Sequence, residues 1–192
     1  STLEELYLLQ KLMRGLGSEN IDFRLRQSDF STDGQRRGAP WLGMKISEIG
    51  ALDRVLVVGS FLRQDHPLIT QRLRQIAKRG AQISLIHPSA ADLLLPVFAR
   101  AVVSPAAMAA TLAQVLKAVA VAKGATLDPA LERELAALEI SAEVGKEVQR
   151  IADSLVTATN GALLLGNLAQ QHPQAATLHQ LVTVGTLALS LT

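Results

Sequence analysis

The sequence predicts an α/β fold, a parallel sheet with flanking helices, and three of its features point there. Short uninterrupted apolar runs, VLVV at 55–58 and ALLL at 162–165, each end at a glycine, as strands covered on both faces do before a tight turn. These runs alternate with longer stretches of helical period, the pattern of strand–helix–strand units joined by right-handed crossovers. Aromatic residues make up 3% of the 192 residues and hydrophobic residues 48%, so the core must be built from Ala, Leu, Val and Ile.

Taken in order, the elements follow from local pattern. Leu3, Leu6, Leu9, Leu12, Met13 and Leu16 recur at helical spacing between Thr2 and Leu16, and Gly15 and Gly17 end that helix. Ser18 to Met44 is polar, turn-rich and almost without period, so it reads as a long loop, which in a compact domain is commonly functional. Lys45–Leu52 suits a short helix and Arg54–Gly59 a buried strand. From Asp65 to Arg79 a helix is expected to turn Leu68, Ile69, Leu73, Ile76 and Ala77 inward and Arg72, Arg74, Lys78 and Arg79 outward, with Gly80 stopping it. Gln82–Ile86 and Arg100–Val103 read as strands, and Pro105 to about Lys123 as a helix opened by proline.

Beyond Gly124 comes a linker to Asp128 and a surface helix at Pro129–Leu138. Next are a helix starting at Ser141 with the stripe Val144, Val148, Ile151 and Leu155, a strand at Ala162–Leu165, and a helix over His172–Leu189. This divides the chain into a Rossmann-like parallel α/β domain, 1–124, and a linker plus helix–strand–helix unit, 125–192, belonging to a second, incomplete α/β lobe.

Composition excludes several functions. A formal net charge of +2 provides no field for nucleic acid, despite a pI near 9.2. With no cysteine, the chain has no disulfide, thiolate zinc site, iron–sulfur cluster or cysteine nucleophile of its own. The start, STLEELYLLQ, is an amphipathic helix with Glu4 and Glu5 and not a signal peptide, and the absent initial Met suggests a piece of a longer chain. The most apolar stretch, ARAVVSPAAMAATLAQVLKAVAVAKG, is interrupted by Ser104-Pro105, Gln114 and Lys117. A membrane span needs roughly 20 apolar residues in a row, so no direct membrane insertion is expected.

Two related phrases carry what chemistry there is: VLVVGSFLRQDHP, 55–67, and LLLGNLAQQHP, 163–173. A glycine after a strand lets backbone N–H groups approach a phosphate. Neither phrase completes G-x-G-x-x-G, and the Gly-Lys-Ser/Thr of a phosphate loop is absent, so Gly59-Ser60 and Gly166-Asn167 read as tight strand-to-helix turns. His66 and His172 precede prolines at helix starts and suit capping; the four histidines have no metal-ligand spacing. Arg63, Arg72, Arg74, Lys78 and Arg79 form a basic set with the pattern of a solvated helix face, and SDFSTDGQRRG suits docking better than catalysis. No nucleophile–base–acid arrangement is present, so no catalytic residue is assigned.

The order of these phrases, with TLEELYLLQKLMRGLGSENID before them and Ser104-Pro105 ahead of an Ala-rich helix, resembles the central domains of the molybdopterin oxidoreductase family over about residues 1 to 190. The resemblance implies a frame in which turns after the strands hold a molybdopterin guanine dinucleotide. Gly59 and Ser60 match that frame, but Phe61 stands for its Asn, His87-Pro88-Ser89 for Asp-Pro-Arg, and Ala106, Ala107 and Met108 for Gly, Thr and Asp. A carboxylate suited to guanine N–H groups has become a thioether, and an arginine suited to phosphate a serine. The resemblance thus implies no cofactor within this chain, with Gly59, Ser60 and His87 as vestigial candidates. The phrasing is also similar to the branch that keeps the fold without the cofactor, the large iron–sulfur subunit (the G subunit) of bacterial respiratory complex I, NADH:quinone oxidoreductase. That resemblance implies an internal structural domain, iron–sulfur clusters elsewhere in the parent subunit, other peripheral-arm subunits as partners, and a peripheral place on the cytoplasmic side of the inner membrane. An active molybdopterin oxidoreductase fragment is the alternative.

Overall fold

The computed structural model describes residues 2–21, 29, 31, 42–124 and 142–189. The expected surface helix at Pro129–Leu138 and most of the Ser18–Met44 segment lie outside the described residues. Helix α1 (Leu3–Gly15) starts at Thr2, whose hydroxyl accepts the Glu5 N–H while the Glu5 carboxylate accepts the Thr2 N–H. None of its residues is buried, and Leu3, Tyr7, Leu8, Leu12 and Leu16 are all exposed.

A 3₁₀ turn at Ile46–Ala51 leads into β1 (Arg54–Val58). The expected helix 65–79 is two helices: α2 (Leu62–Asp65) and α3 (Pro67–Ala77). Between them His66 has φ −137° and ψ 60°, because a residue before proline is sterically barred from the helical region. The Thr70 hydroxyl spans the break, reaching the carbonyls of Leu62 (2.6 Å) and His66 (2.9 Å). Leu68, expected inside, is 78% exposed; the break rotates α3 so that Thr70, Leu73 and Ile76 face the core.

Strand β2 (Gln82–His87) and β3 (Ala99–Val102) follow, then α4 (Met108–Ala122), α5 (Ala142–Val156), β4 (Gly161–Leu165), α6 (Asn167–Gln170) and α7 (Ala175–Leu189). The four strands form one parallel sheet in the order β3-β2-β1-β4. β4 pairs with β1 from Arg54↔Gly161 to Val58↔Leu165, which corrects the expectation of a second lobe after residue 124. The helix–strand–helix unit completes the first sheet, because Leu56, Val58 and Leu163 share one core with α4, α5 and α7. The other face packs Val55, Val57, Ile83, Leu85 and Leu164 under α3 and the 3₁₀ turn. The span Pro105–Ala122 has the length and hydropathy of a membrane helix, yet half of it is buried inside this fold.

Polar ties lock the other end of the sheet. The Asp53 carboxylate accepts the N–H groups of Thr159 (2.9 Å) and Asn160 (3.0 Å), joining the starts of β1 and β4. Glu147 on α5 accepts the Arg100 N–H (2.9 Å) and pairs with Arg150, which donates to the Phe98 carbonyl (2.7 Å). Both carboxyls sit below their ordinary range. Burial opposes this in each case, and it is outweighed by hydrogen bonds, from Thr159 and Asn160 to Asp53 and from Arg100 and Arg150 to Glu147, with help from the charges of Arg54 and Arg150 respectively.

Candidate functional site

In a parallel sheet, ligands bind beyond the carboxyl ends of the strands, where the strand order reverses. Here β2 and β3 lie to one side of β1 and β4 to the other, so the reversal falls between β1 and β4. The two glycine turns singled out in the sequence stand side by side at that point.

Their contact is very close. Gly166 N–H donates to the Val58 carbonyl (2.8 Å), Leu168 N–H to the Gly59 carbonyl (2.9 Å) and Gly59 N–H to the Ile86 carbonyl (2.9 Å). Gly59 has φ +62°, and a Cβ there would lie 2.8 Å from the Ala169 nitrogen and 3.2 Å from the Met108 methyl. A Cβ on Gly166 would lie 2.2 Å from the Ser60 Cβ. A pyrophosphate needs free N–H groups and open space at such a turn. Here the N–H groups of Gly59, Gly166 and Leu168 are already donated, and Met108 and Ala169, both fully buried, occupy the space. The residues at the reversal do not fit the dinucleotide.

The remaining predicted residues separate into two clefts. A cavity of about 510 Å³ opens at the ends of β1 and β2, with Ser60, Phe61, Arg63, His87 and Asp92 among its walls. The Phe61 ring stands edge-on to His87, centroids 4.5 Å apart at 90°. A second, mainly apolar groove of about 470 Å³ runs beside β4, with His66, Leu164, Asn167 and His179 on it. His179 Nε2 lies 2.8 Å from the Gln170 Oε1.

The capping expected of both His-Pro histidines holds for one. His172 Nδ1 accepts the Gln174 N–H (3.0 Å), and its Nε2 reaches across to the Pro105 carbonyl (2.9 Å). Because Nδ1 accepts, Nε2 carries the proton, so the imidazole fixes the start of α7 against the turn before α4. His66 makes no side-chain cap; its backbone geometry sets the α2–α3 break instead.

Of the basic set, Arg63 and Arg74 flank a small cleft of about 120 Å³, while Arg79 donates to the Gly50 carbonyl (2.9 Å). Within SDFSTDGQRRG, only Asp29 and Ser31 lie among the described residues. Asp29 accepts the Ala176 N–H at 2.9 Å across 147 residues, giving α7 an acceptor in its first turn. Hydrogen bonds from the Ser31 hydroxyl and then from Ala176 hold the Asp29 carboxyl below its usual range. Nothing local in the sequence signals this long-range cap. Among the described residues no three His, Asp or Glu side chains group as metal ligands.

The sequence model of the molybdopterin oxidoreductase family matches residues 1–190. The chain belongs to the molybdopterin oxidoreductase family. Among curated relatives, the probable oxidoreductase YjgC of Bacillus subtilis is 38% identical over 88 residues, 43% of this chain and 9% of that protein. The F420-dependent formate dehydrogenase subunit alpha of Methanocaldococcus jannaschii is 34% identical over 91 residues, 45% of this chain and 14% of that protein. The G subunit of the NADH-quinone oxidoreductase of Rickettsia felis is 29% identical over 80 residues, 42% of this chain and 12% of that protein. The matched segments therefore span a small fraction of each relative.

Proposed function

We propose that this molybdopterin oxidoreductase domain is a structural, non-catalytic part of the G subunit of an NADH:quinone oxidoreductase. It supports electron transfer from NADH to quinone by iron–sulfur clusters located outside this chain. The observation that carries the reading is the close-packed reversal point: Gly59 and Gly166 pack on each other, their N–H groups are donated to the Ile86 and Val58 carbonyls, and Met108 and Ala169 pack against Gly59. The similarity to the Rickettsia felis protein adds support. On this reading the domain holds no cofactor, contacts other peripheral-arm subunits, and sits peripherally on the cytoplasmic side of the bacterial inner membrane.

A second reading has its own support in the similarity to YjgC and to the formate dehydrogenase. In it the chain is a fragment of an active enzyme whose dinucleotide is held by residues beyond this chain. Metal analysis of the purified protein, with chromatography of nucleotides released by denaturation, separates the two. The structural reading expects neither molybdenum nor guanine nucleotide; one equivalent of each would reverse the order of the two readings.

A further inference from the structure

Helices α2 and α3 concentrate the positive charge of the chain. Between Leu62 and Gly80 lie five cations and one carboxylate, in a chain whose formal net charge is +2, so the remainder is net negative. Arg79 donates to the Gly50 carbonyl, but among the described residues the side chains of Arg63, Arg74 and Lys78 make no hydrogen bond or ion pair. Pro67, Gln71, Arg74 and Lys78 recur at helical spacing and form one exposed stripe. The helix dipole favours a basic end to α3, but it does not account for Arg63 of α2 standing at the same cleft as Arg74.

That cleft gives the charge a shape. It measures about 120 Å³ and lies between Arg63 and Arg74, walled by Pro67, Gln71, Leu93 and Leu94. Small-molecule pockets run to roughly 300–1,000 Å³, so this one suits a single side chain and no cofactor. It shares Arg63 and Leu93 with the larger cavity, and none of Ser60, Phe61 and His87. Leu94 is the non-glycine residue with positive φ, 54°, among the described residues, and it is half exposed while Leu93 and Leu95 on either side are buried. The Asp92 carboxylate accepts its N–H at 2.8 Å and holds the turn. A left-handed leucine is sterically costly, and glycine would adopt the same conformation freely. Such outliers persist where the surrounding structure imposes them, often at ligand clamps.

We propose that this face of α2 and α3 docks an acidic protein segment in which one apolar side chain lies between carboxylates. The apolar side chain enters the cleft against Leu94 and Pro67, and the flanking carboxylates meet Arg63 and Arg74, with Lys78 extending the field. Charge complementarity selects this partner, because a guanidinium without a partner matches a carboxylate in two parallel hydrogen bonds. Nucleic acid fits less well: no aromatic side chain lines the cleft to stack a base, and the rest of the chain is net negative. The docking face stands under either functional reading, since no residue of the reversal point takes part in it.

The test is a titration of isotope-labelled protein with the end-blocked peptide Glu-Glu-Leu-Glu-Glu. The same peptide with Ala for Leu, the peptide Lys-Lys-Leu-Lys-Lys and an oligothymidylate serve as comparisons at matched ionic strength. The Arg63, Gln71, Arg74 and Leu94 amides report binding. Saturable shifts are expected with the first peptide at a dissociation constant of about 1 mM. Binding should be severalfold weaker with the Ala peptide and absent with the lysine peptide. Arg74→Glu should weaken binding about tenfold. Leu94→Gly should weaken it severalfold while the melting temperature holds or rises, because glycine accepts the positive φ. Both side chains are exposed, so neither change threatens the fold. Equal shifts with the Leu and Ala peptides, oligothymidylate binding as tight as the first peptide, or binding that Arg74→Glu or Leu94→Gly leaves unaltered overturns the proposal, as does the absence of a saturable shift.

Discussion

Gly166 has no room for a side chain, and Gly145 has nothing but room. A Cβ on Gly166 would collide with the Ser60 side chain and backbone, at 2.2 and 2.4 Å, whereas, the helix's own backbone aside, no atom of the described residues lies within 4 Å of a Cβ on Gly145, in the first turn of α5. The two Gly→Ala substitutions should therefore have opposite signs. Gly166→Ala should destabilise by about 3 kcal/mol or prevent folding, because backbone cannot yield as a flexible side chain does. Gly145→Ala should stabilise by about 0.5–1 kcal/mol through helix propensity and a less free unfolded chain. Urea unfolding of the two variants checks both. His172→Phe removes the bonds to Gln174 and Pro105 that tie the start of α7 to the turn before α4; a loss of about 0.5–1.5 kcal/mol is expected in the same measurement.

At the scale of elements, the joints between strands rest on single carboxylates. Asp53→Ala should cost about 1–3 kcal/mol by stranding the Thr159 and Asn160 N–H groups where β4 begins. The pH dependence follows from the lowered folded-state positions of Asp53 and Glu147. Their contribution is complete above the unfolded carboxylate values, about 4, and fades as pH falls through the lower folded values. Stability measured from pH 6 downward should thus fall at the acid end, and Asp53→Asn should flatten part of that fall. A profile identical in Asp53→Asn and the parent protein would show that this carboxylate is not coupled to folding. The elements themselves were largely legible: β1 and β4 appear where unbroken apolar runs put them, since a strand buried on both faces leaves that mark, and β2 appears where Gln82–Ile86 reads as a strand. The α2–α3 break was legible only in its cause, Pro67; its consequence, the outward turn of Leu68, depends on how the shortened helix meets the sheet.

For the whole molecule, the sheet joins both ends of the chain. Removing residues after Gly124 would strip β4, α5 and α7 from the face that buries Leu56, Val58, Ala101 and Leu112. A protein ending there should lack a cooperative thermal transition and should bind hydrophobic dyes, whereas a separate 1–124 domain would melt normally; calorimetry decides between them. The sequence suggested a boundary because the polar linker and the helix pattern after it look like a fresh start. Pairing across such a gap leaves no local trace, since it depends on which edge of β1 is open.

Local order alone determined the parallel α/β class, the strand positions and the two glycine turns. Each of these is a matter of residue type and near neighbours. Only the tertiary structure decided that the two turns abut, that Met108 and Ala169 fill the space beneath Gly59, that Asp29 caps a helix 147 residues away, and that Ser60 and His87 line one cavity. These are facts about distance between segments far apart in sequence, and the close packing that fixes such distances is a property of the folded chain as a whole.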